Sequence, residues 1–345
     1  MNTSKVVWQT TKGKGLLVED FDHFVSLDWS QKVMAVGHMG RRSKEPTVLE
    51  RPADLKDLKQ YLSSLKGRTV LTFEETTTAQ WLFVELHECV DRIVVCDPSH
   101  NRWLCHGPKT DRIDARKLCV LLRGGLLKEV FHSMDALYEL RSLVSSYADV
   151  VQAGVRLLNQ RHAMERGHSD TRTNAAFILE HLDKSIELYR QTKEQYEVKF
   201  TRFCRRYSAA QRLLEVEGIG TIGVVKIIAI VVDARRFSNR GQYLCYCGLV
   251  RNEKLSGGRS YGRRKPRYCH TLKTVYKTAA MAAINGGDNP IHEYYEHLLA
   301  QGVAEHNARH AVARYIARIT YGMLRNGTRY EPYRWRNALE TRSVA

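Results

Sequence analysis

A β-hairpin is predicted by two neighbouring segments, Phe24-Val-Ser-Leu-Asp-Trp-Ser30 and Lys32-Val-Met-Ala-Val-Gly37. Each is a short apolar run bounded by polar turn residues, which is the pattern of a strand. Thr47-Val-Leu49 can add a third strand, and Pro52 and Asp54 then open an amphipathic helix. The chain therefore begins its folded part with antiparallel strands followed by a helix.

Two further strands follow this helix. Thr69-Val-Leu-Thr-Phe73 is a buried-type strand, and Arg92-Ile-Val-Val-Cys96 is another, with a helical pattern over residues 79–89 between them. Three antiparallel strands followed by helix, strand, helix and strand form an α/β arrangement of ribonuclease-H type. Several unrelated α/β folds share this order, so it predicts a fold class and not a function.

The composition points to a polyanionic partner. The 345 residues include 54 Lys and Arg against 37 Asp and Glu, which gives a formal net charge of +17 and a pI near 9.6. Such an excess favours nucleic acid first and an anionic membrane surface second. The longest apolar stretch, Val224 to Val232, is too short to span a bilayer and contains Lys226. Because the N-terminus has no signal-peptide pattern, the eight cysteines are expected to be reduced cytosolic thiols.

The middle of the chain has the spacing of a helical hairpin. Apolar residues alternate at three- and four-residue intervals from Leu137 to Leu158 and again from Leu179 to Phe200, with a polar turn over residues 165–174. Each segment holds about three heptads, at which a coiled coil becomes a reasonable prediction. A hairpin packed on its own chain and one that joins two chains both fit this pattern.

The remainder of the chain is predicted to be mainly helical. Gly218 and Gly220 stand between two helical patterns, where glycines let backbone N–H groups at a helix start approach a phosphate. Both are therefore candidate nucleic-acid contacts, although an ordinary interhelical turn also carries glycines. Further helices are predicted over residues 292–300 and 303–325, closed by Asn326-Gly327.

Four carboxylates lie where the α/β pattern would gather them. Asp28 ends the first strand, and Glu74 ends the strand after the first helix. Asp111 and Asp114 lie in the motif Lys109-Thr-Asp-Arg-Ile-Asp-Ala-Arg116. Together they could hold two Mg²⁺ ions about 4 Å apart, the arrangement that serves phosphoryl transfer.

Local geometry refines this set. Thr110 can cap a helix that starts at Asp111, and three-residue spacing then puts Asp111 and Asp114 on one helix face. Glu75 is the rival of Glu74, because side chains alternate along a strand and only one of the two can face the site.

A strongly basic segment forms a second cluster. Residues 251–267 contain seven Lys or Arg and one acid, Glu253, around Ser256-Gly-Gly258. Composition alone favours a flexible turn in a phosphate-binding patch. Alternatively, Ser256 is a nucleophile on exposed backbone, and nearby cations neutralise the phosphate that it attacks. With the cations of the acidic motif, the candidate nucleic-acid contacts are Lys109, Arg112, Arg116, Arg251, Lys254, Arg259, Arg263, Arg264, Lys265 and Arg267.

The order of these motifs resembles that of the DEDD-type insertion-sequence transposases, the bridge-RNA-guided recombinases to which the Piv/MooV DNA invertases are related. The resemblance extends over residues 22–330. It rests on Leu27-Asp28, Phe73-Glu74, Lys109-Thr-Asp111-Arg-Ile-Asp114-Ala-Arg116, Glu217-Gly-Ile-Gly220, Tyr246-Cys-Gly-Leu249 and Ser256-Gly-Gly258. The third and the last two of these motifs are together highly specific.

This resemblance implies a three-part organisation. After an extension over residues 1–20, residues 21–133 would form a RuvC-like nuclease domain. Residues 134–208 would form a coiled-coil hairpin used in assembly. Residues 209–330 would form a mainly helical transposase domain, followed by a tail over residues 331–345.

The resemblance also implies the chemistry and the partners. Asp28, Glu74, Asp111 and Asp114 would bind Mg²⁺ or Mn²⁺, and Ser256 would cut DNA through a covalent phosphoserine link. The partners would be double-stranded donor and target DNA, a structured non-coding guide RNA, and further copies of the chain in a dimer or tetramer. We expect a cytoplasmic, nucleoid-associated prokaryotic protein that acts without a membrane.

Other functions fit parts of the sequence. A Piv-type invertase would share the chemistry, whereas a RuvC-like endonuclease would cut DNA with metal-activated water and leave Ser256 idle. A ribosomal or nucleoid protein would use its charge alone. His306 and Arg309 imitate a tyrosine-recombinase pair, but amphipathic helix spacing explains them more simply. Cys245 and Cys247 lack a standard zinc-ligand spacing and are expected to be core or interface residues.

Overall fold

The computed structural model describes residues 20–98, 110–132, 137–167, 173–264 and 267–336. Lys109 and Lys265 therefore lie outside the described residues, as do most of the N-terminal extension and the end of the tail. The chain divides into two compact units whose boundary falls between residues 132 and 137. The first unit is mixed α/β and the second is mostly helical, which confirms the predicted fold class.

The first unit is built on a five-stranded sheet of order β3-β2-β1-β4-β5. The strands are β1 (His23–Trp29), β2 (Val33–Gly40), β3 (Thr47–Pro52), β4 (Thr69–Glu74) and β5 (Arg92–Cys96). β1, β2 and β3 pair antiparallel, while β4 runs parallel to both β1 and β5. This topology agrees with the predicted ribonuclease-H-type arrangement.

Helices cover both faces of the sheet. One face packs against α1 (Leu55–Ser64) and α2 (Ala79–Leu86), and the other packs against α3 (Asp111–Arg123). The core on the first side contains Val25, Leu27, Leu71 and Phe73, and the core under α3 contains Phe24, Val70, Cys119 and Leu122. Because side chains alternate along a strand, the even-numbered residues of β1 and β4 face α3.

Two long helices, α4 (Tyr138–Gly167) and α5 (Thr173–Arg206), form the predicted hairpin. Gly154 allows close packing, because a Cβ at this position would overlap the ring of Tyr189. The base of the hairpin belongs to the core of the second unit through Leu137, Leu140, Val144, Tyr147, Phe200 and Cys204. The hairpin is therefore present, whereas its use as a coiled coil between chains stays a prediction.

The rest of the second unit is helical except for one small sheet. The helices are α6 (Ser208–Leu213), α7 (Thr221–Val231), α8 (Arg240–Tyr246), α9 (His270–Asn285), α10 (Pro290–Ala300) and α11 (Glu305–Asn326). Two antiparallel strands, β6 (Asn252–Ser256) and β7 (Arg259–Arg264), lie in the basic segment that was expected to be a flexible turn. None of the helices in the described ranges is long and apolar enough to cross a membrane.

Packing explains two motifs that have other interpretations in the sequence. Arg309 is exposed on α11 and forms an ion pair with Glu305 one turn away, as the amphipathic spacing suggested. Cys247 is fully buried in the core of the second unit, and this burial raises the pKa of its thiol. Neither residue needs a catalytic role or a metal to explain its position.

Candidate active site and nucleic-acid interface

Parallel pairing of β1 and β4 brings two of the predicted carboxylates to the same end of the sheet. Leu27 pairs with Phe73, so Asp28 and Glu74 occupy the next position of each strand. Residues in register point to the same face, and for this pair it is the face that carries α3. Both side chains are half-buried.

Two buried contacts determine how α3 crosses this face. Ser26 Oγ donates to the carbonyl of Ala115 at 2.6 Å. Cys119 Sγ donates to the carbonyl of Phe24 at 3.3 Å. A step of two residues forward along β1 therefore matches a step of four residues backward along α3. Each of these steps covers a length of about 6 Å. The helix runs antiparallel to β1.

This register places the first turn of α3 over the strand ends. One further step of two strand residues and four helix residues sets Asp111 over Asp28. Asp114 is half-buried one turn farther along the helix, while Asp111 is exposed. Thr110 Oγ1 accepts from the backbone N–H of Ile113 at 3.2 Å, which confirms the predicted cap and explains why the helix begins here.

The close packing of α3 on the sheet requires a glycine in β2. A Cβ at Gly37 would lie 2.8 Å from the carbonyl oxygen of Ala115 and would also overlap Ser26 Oγ. The guanidinium of Arg123 binds the other end of the helix to the β2–β3 connection, donating to the carbonyls of Arg41 (2.9 Å) and Ser43. Both ends of α3 are thus fixed relative to the sheet.

The four carboxylates share one face and one end of the sheet without forming a closed metal cluster. Within the described ranges, no three carboxylate, imidazole or thiol side chains are grouped so that they could hold a metal ion. The donor chemistry fits a divalent cation, because carboxylate oxygens are the ligands that Mg²⁺ and Mn²⁺ prefer. Neither Asp111 nor Asp114 forms an ion pair with any described residue, so both are available as ligands.

Glu75 belongs to the opposite face of the sheet. Its carboxylate lies 3.1 Å from Nε2 of His132, whose side chain is only 5% exposed. The His132 ring packs against Phe83 of α2, with 5.6 Å between ring centroids. Strand alternation therefore gives Glu74, and not Glu75, the face that carries α3.

A fifth carboxylate at this end of the sheet was not identified from the sequence. Asp97 directly follows β5 and is 8% exposed. Cys96 pairs with Glu74, so Asp97 points away from the α3 face. Its position directly after a strand was the signal that could have found it.

Ser256 lies at the turn of the β6–β7 hairpin, in the second unit. It is the last residue of β6 and pairs with Arg259, the first residue of β7. Gly257 and Gly258 form the turn with φ of 57° and 77°. A two-residue turn with both φ values positive is the type that closes a tight hairpin, and glycine adopts it without strain.

The predicted cations have different surroundings. Arg251 and Arg267 flank the serine hairpin and are exposed; Lys254 belongs to β6, and Arg259, Arg263 and Arg264 belong to β7. Arg112 and Arg116 are exposed on α3, where Arg116 forms an ion pair with Glu45. The hairpin is therefore a compact basic element with the serine at its turn.

The two predicted glycine contacts, Gly218 and Gly220, both border a cleft, and Gly218 also serves packing. Gly218 has φ of +82°, and a Cβ there would overlap the carbonyl of Ala279 and lie 2.9 Å from the backbone nitrogen of Ala283. Its role is therefore the close approach of this turn to α9. Gly220 directly precedes α7 and borders a cleft of about 730 Å³.

This cleft collects groups that can donate to a phosphate. The first turns of α7 and α9 both reach it, and neither helix has a side-chain cap. Lys226 also lines it, half-buried, and burial lowers the pKa of its ammonium group. The lining also includes one carboxylate residue, Glu197, and one imidazole, His270, and threonines at Thr201, Thr221, Thr271, Thr274 and Thr278. The lone lysine in an otherwise apolar helix was the sequence signal for this cleft.

Two family models match this chain, and each covers one of the regions that hold the candidate site residues. Residues 25–166 match the IS110-type DEDD family, described as transposase, and residues 210–296 match the family described as "Transposase IS116/IS110/IS902 family". The chain is 24% identical over 336 residues to a "Probable family 20 transposase" of Pseudomonas aeruginosa, covering 89% of this chain and 98% of that protein. It is 24% identical over 155 residues to an "Insertion element IS110 uncharacterized 43.6 kDa protein" of Streptomyces coelicolor, covering 45% of this chain and 38% of that protein. The strand-end carboxylates lie inside the first match and the serine hairpin inside the second, and the chain belongs to the IS110 family of DEDD transposases, enzymes that act on DNA.

Proposed function

We propose that this transposase cuts and rejoins DNA with Ser256 as the nucleophile and with Mg²⁺ or Mn²⁺ bound by Asp28, Glu74, Asp111 and Asp114. One observation carries the proposal: the contacts of Ser26 with Ala115 and of Phe24 with Cys119 set a register that puts the helix aspartates over the strand carboxylates. Acids from three separate segments of the sequence would thereby meet at one face and one end of the sheet.

Each element contributes a separate part of the metal site. The divalent cation would supply Lewis acidity at the scissile phosphate. Asp28 and Glu74 stand on paired strands, so their spacing is set by the sheet. The Thr110 cap fixes where α3 begins and hence where Asp111 stands. Sites supported by rigid elements hold their ligands more accurately than sites on loops.

The serine step replaces one phosphodiester by another. The Oγ–P bond forms as the bond between phosphorus and the leaving deoxyribose oxygen breaks, and the serine proton ends on that oxygen through solvent. Attack by the deoxyribose hydroxyl on the phosphoserine reverses these changes, so rejoining needs no external energy source. Arg259, the register partner of Ser256, is suited to neutralise charge on the phosphate.

We further propose that a structured bridge RNA selects the donor and target DNA by base pairing, as in other RNA-guided systems. The basic hairpin and the cleft at the start of α7 support binding through phosphates rather than through base edges. We also propose that the chain assembles as a dimer or tetramer. Its domains would be residues 21–133, 134–208 and 209–330, and it would act at the nucleoid in the cytoplasm.

Covalent trapping tests the serine assignment. The full chain is incubated with guide RNA, Mg²⁺ and labelled donor duplex, denatured, digested and mapped by mass spectrometry. We expect a DNA adduct on the peptide that contains Ser256, and its loss in Ser256→Ala without loss of DNA binding. Ser260→Ala is the matched control, because Ser260 is an exposed serine in the same hairpin. Full cleavage by Ser256→Ala would instead identify a water-using endonuclease.

The carboxylates are tested separately from the serine. Asp28→Asn is expected to abolish Mg²⁺-dependent cleavage while the affinity for DNA stays unchanged. If cleavage by this variant equals that of the wild type, Asp28 is not a metal ligand. If the wild-type chain shows binding and no metal-dependent step, the protein holds DNA without cutting it.

A further inference from the structure

A row of basic side chains on α11 takes no part in the chemistry described above. His306, His310, Arg314 and Arg318 recur every four residues along this helix. Since neighbouring turns superimpose residues four apart, these side chains follow one side of α11. The row spans about 18 Å, at 1.5 Å per residue.

Helix α9 adds two lysines to this side. The pKa of His310 is lowered by burial first and then by the charges of Lys277, Arg314, Lys273 and His306. These four groups therefore lie close enough to His310 to repel its protonated form. We refer to Lys273, Lys277, His306, His310, Arg314 and Arg318 as the α9–α11 cationic face.

In the described part of the chain, carboxylates do not neutralise this face. Within the described ranges, none of the lysines and arginines of the face forms an ion pair with an acidic side chain. Arg314 is half-buried, and burial followed by the charge of Arg318 lowers the pKa of its guanidinium. By contrast, Arg309, next to His310 on α11, is paired with Glu305. Clustered cations without counter-charges are unfavourable in the free protein and favourable beside a polyanion.

The row leads into a cleft of about 620 Å³ between α8 and the end of α11. Four guanidinium groups line this cleft, those of Arg240, Arg318, Arg325 and Arg334, and no carboxylate does so in the described part of the chain. Arg325 is held in place because it donates to the carbonyl of Phe237 at 2.8 Å. The rings of two further lining residues, Tyr315 and Trp335, supply aromatic surface.

We propose that the α9–α11 cationic face and the arginine cleft bind the phosphodiester backbone of nucleic acid, as a surface distinct from the serine hairpin. Guanidinium groups match phosphate oxygens in charge and in their paired N–H geometry. The length of the row matches about five phosphate steps of one strand at 3.4 Å of helix rise each. The proposal rests on the proposed function only in taking nucleic acid as the partner.

The test removes two exposed cations, with Lys277→Gln and Arg318→Gln in one full-length variant. Binding of a short DNA duplex and of an RNA hairpin with the same number of phosphates is followed by fluorescence anisotropy at increasing salt. For duplex DNA the slope of log K against log salt should become shallower by about 1.8, since each phosphate contact contributes about 0.9. Between 1 M and 0.1 M salt, the affinity of the wild type should therefore rise roughly 60-fold more than the affinity of the variant.

Three comparisons make the result decisive. Arg309→Gln removes a cation of the same helix that is already paired with Glu305, and this variant should bind like the wild type. Arg318→Lys keeps the charge and should restore the slope that Arg318→Gln loses. Circular dichroism of each variant confirms that the fold is retained.

Loss of affinity for the duplex alone assigns the surface to DNA, and loss for the hairpin alone assigns it to the guide RNA. Loss for both shows that it binds the backbone of either, and all three outcomes support the proposal. Unchanged slope and affinity with both probes in the double variant overturn it. This experiment measures binding and not cleavage. A negative result for Ser256 in the covalent trapping experiment therefore does not change what it says about the α9–α11 cationic face.

Discussion

Gly37 is the position at which a single methyl group tests the packing of α3 on the sheet. In Gly37→Ala the new Cβ would lie 2.8 Å from the carbonyl oxygen of Ala115 and would overlap Ser26 Oγ. The serine hydroxyl can rotate, but the carbonyl is part of the α3 backbone and cannot. Either the helix lifts from the sheet or β2 bends away from it.

The expected cost follows from two opposing effects. One extra methyl group in a close-packed core costs about 1–3 kcal/mol. Replacing glycine by alanine returns about 0.5–1 kcal/mol, because the unfolded chain has less freedom to lose. We therefore expect the free energy of unfolding to fall by about 1–2 kcal/mol. Cleavage should fall further, by roughly a hundredfold, because a 1 Å misplacement of Asp111 and Asp114 would disturb the proposed metal site.

Local hydrogen exchange and cleavage kinetics measure the two effects. Amides of residues 111–123 should exchange faster in Gly37→Ala, and Mg²⁺-dependent cleavage should slow. Gly40→Ala is the control on the same strand, since its Cβ would meet only the movable hydroxyl of Ser43 at 3.2 Å. Ser26→Ala removes one of the two overlaps, so its combination with Gly37→Ala should be less than additive. Wild-type exchange over α3 together with wild-type cleavage in Gly37→Ala would refute the packing register.

Three further outcomes are expected. Thr110→Ala removes the acceptor for the N–H of Ile113 and should lower the free energy of unfolding in urea by about 1 kcal/mol, whereas Thr110→Ser should not; equal stability of the two would argue against the cap. Glu74→Gln should abolish metal-dependent cleavage in single-turnover assays, whereas Glu75→Gln, on the opposite face of the sheet, should stay within a few-fold of wild type; the reverse ranking would exchange their roles. The pKa of His310 is lowered from 6.5 by burial and by the surrounding cations, so a bound phosphate, which offsets that repulsion, should raise it again. Nucleic-acid binding should then take up a proton and strengthen as the pH falls through the raised pKa of the bound state, as calorimetry in buffers of different ionisation enthalpy can measure; identical proton uptake by His310→Gln would exclude this residue.

The features that could be predicted from the sequence are those that short stretches of chain encode. Thr110 caps α3 because its hydroxyl reaches an N–H three residues away, whatever the rest of the chain does. The short apolar runs that make β1 and β4 strands are likewise local, and they placed Asp28 and Glu74 at strand ends. Strand alternation also predicted that Glu74 and Glu75 lie on opposite faces of the sheet. It could not predict which of the two faces carries α3.

The features that could not be predicted depend on contacts between distant residues. Ser26 and Ala115 are far apart in the sequence, and only their contact together with that of Phe24 and Cys119 shows that α3 runs antiparallel to β1. The β6–β7 hairpin was hidden for another reason: its residues are charged and lack the alternation of a half-buried strand, although Gly257-Gly258 is a turn signal. The four-residue spacing from His306 to Arg318 is readable in the sequence. Whether carboxylates neutralise those cations is decided only by the fold.

A division of labour between the two basic surfaces follows from the chemistry of cutting and rejoining. In the proposed mechanism, attack by Ser256 leaves one DNA end covalently attached, and the other end carries a free hydroxyl that only non-covalent contacts can retain. Cations beside the serine must suit the phosphate in the transition state, which limits their number and position. Cations that retain DNA or RNA need only match its backbone, and their contribution adds with each phosphate contact. The α9–α11 cationic face has the properties of the second kind, since it is long, repeats every turn and lacks carboxylate partners in the described part of the chain. Its separation in sequence from the serine hairpin lets binding be strengthened or weakened without altering the reacting groups.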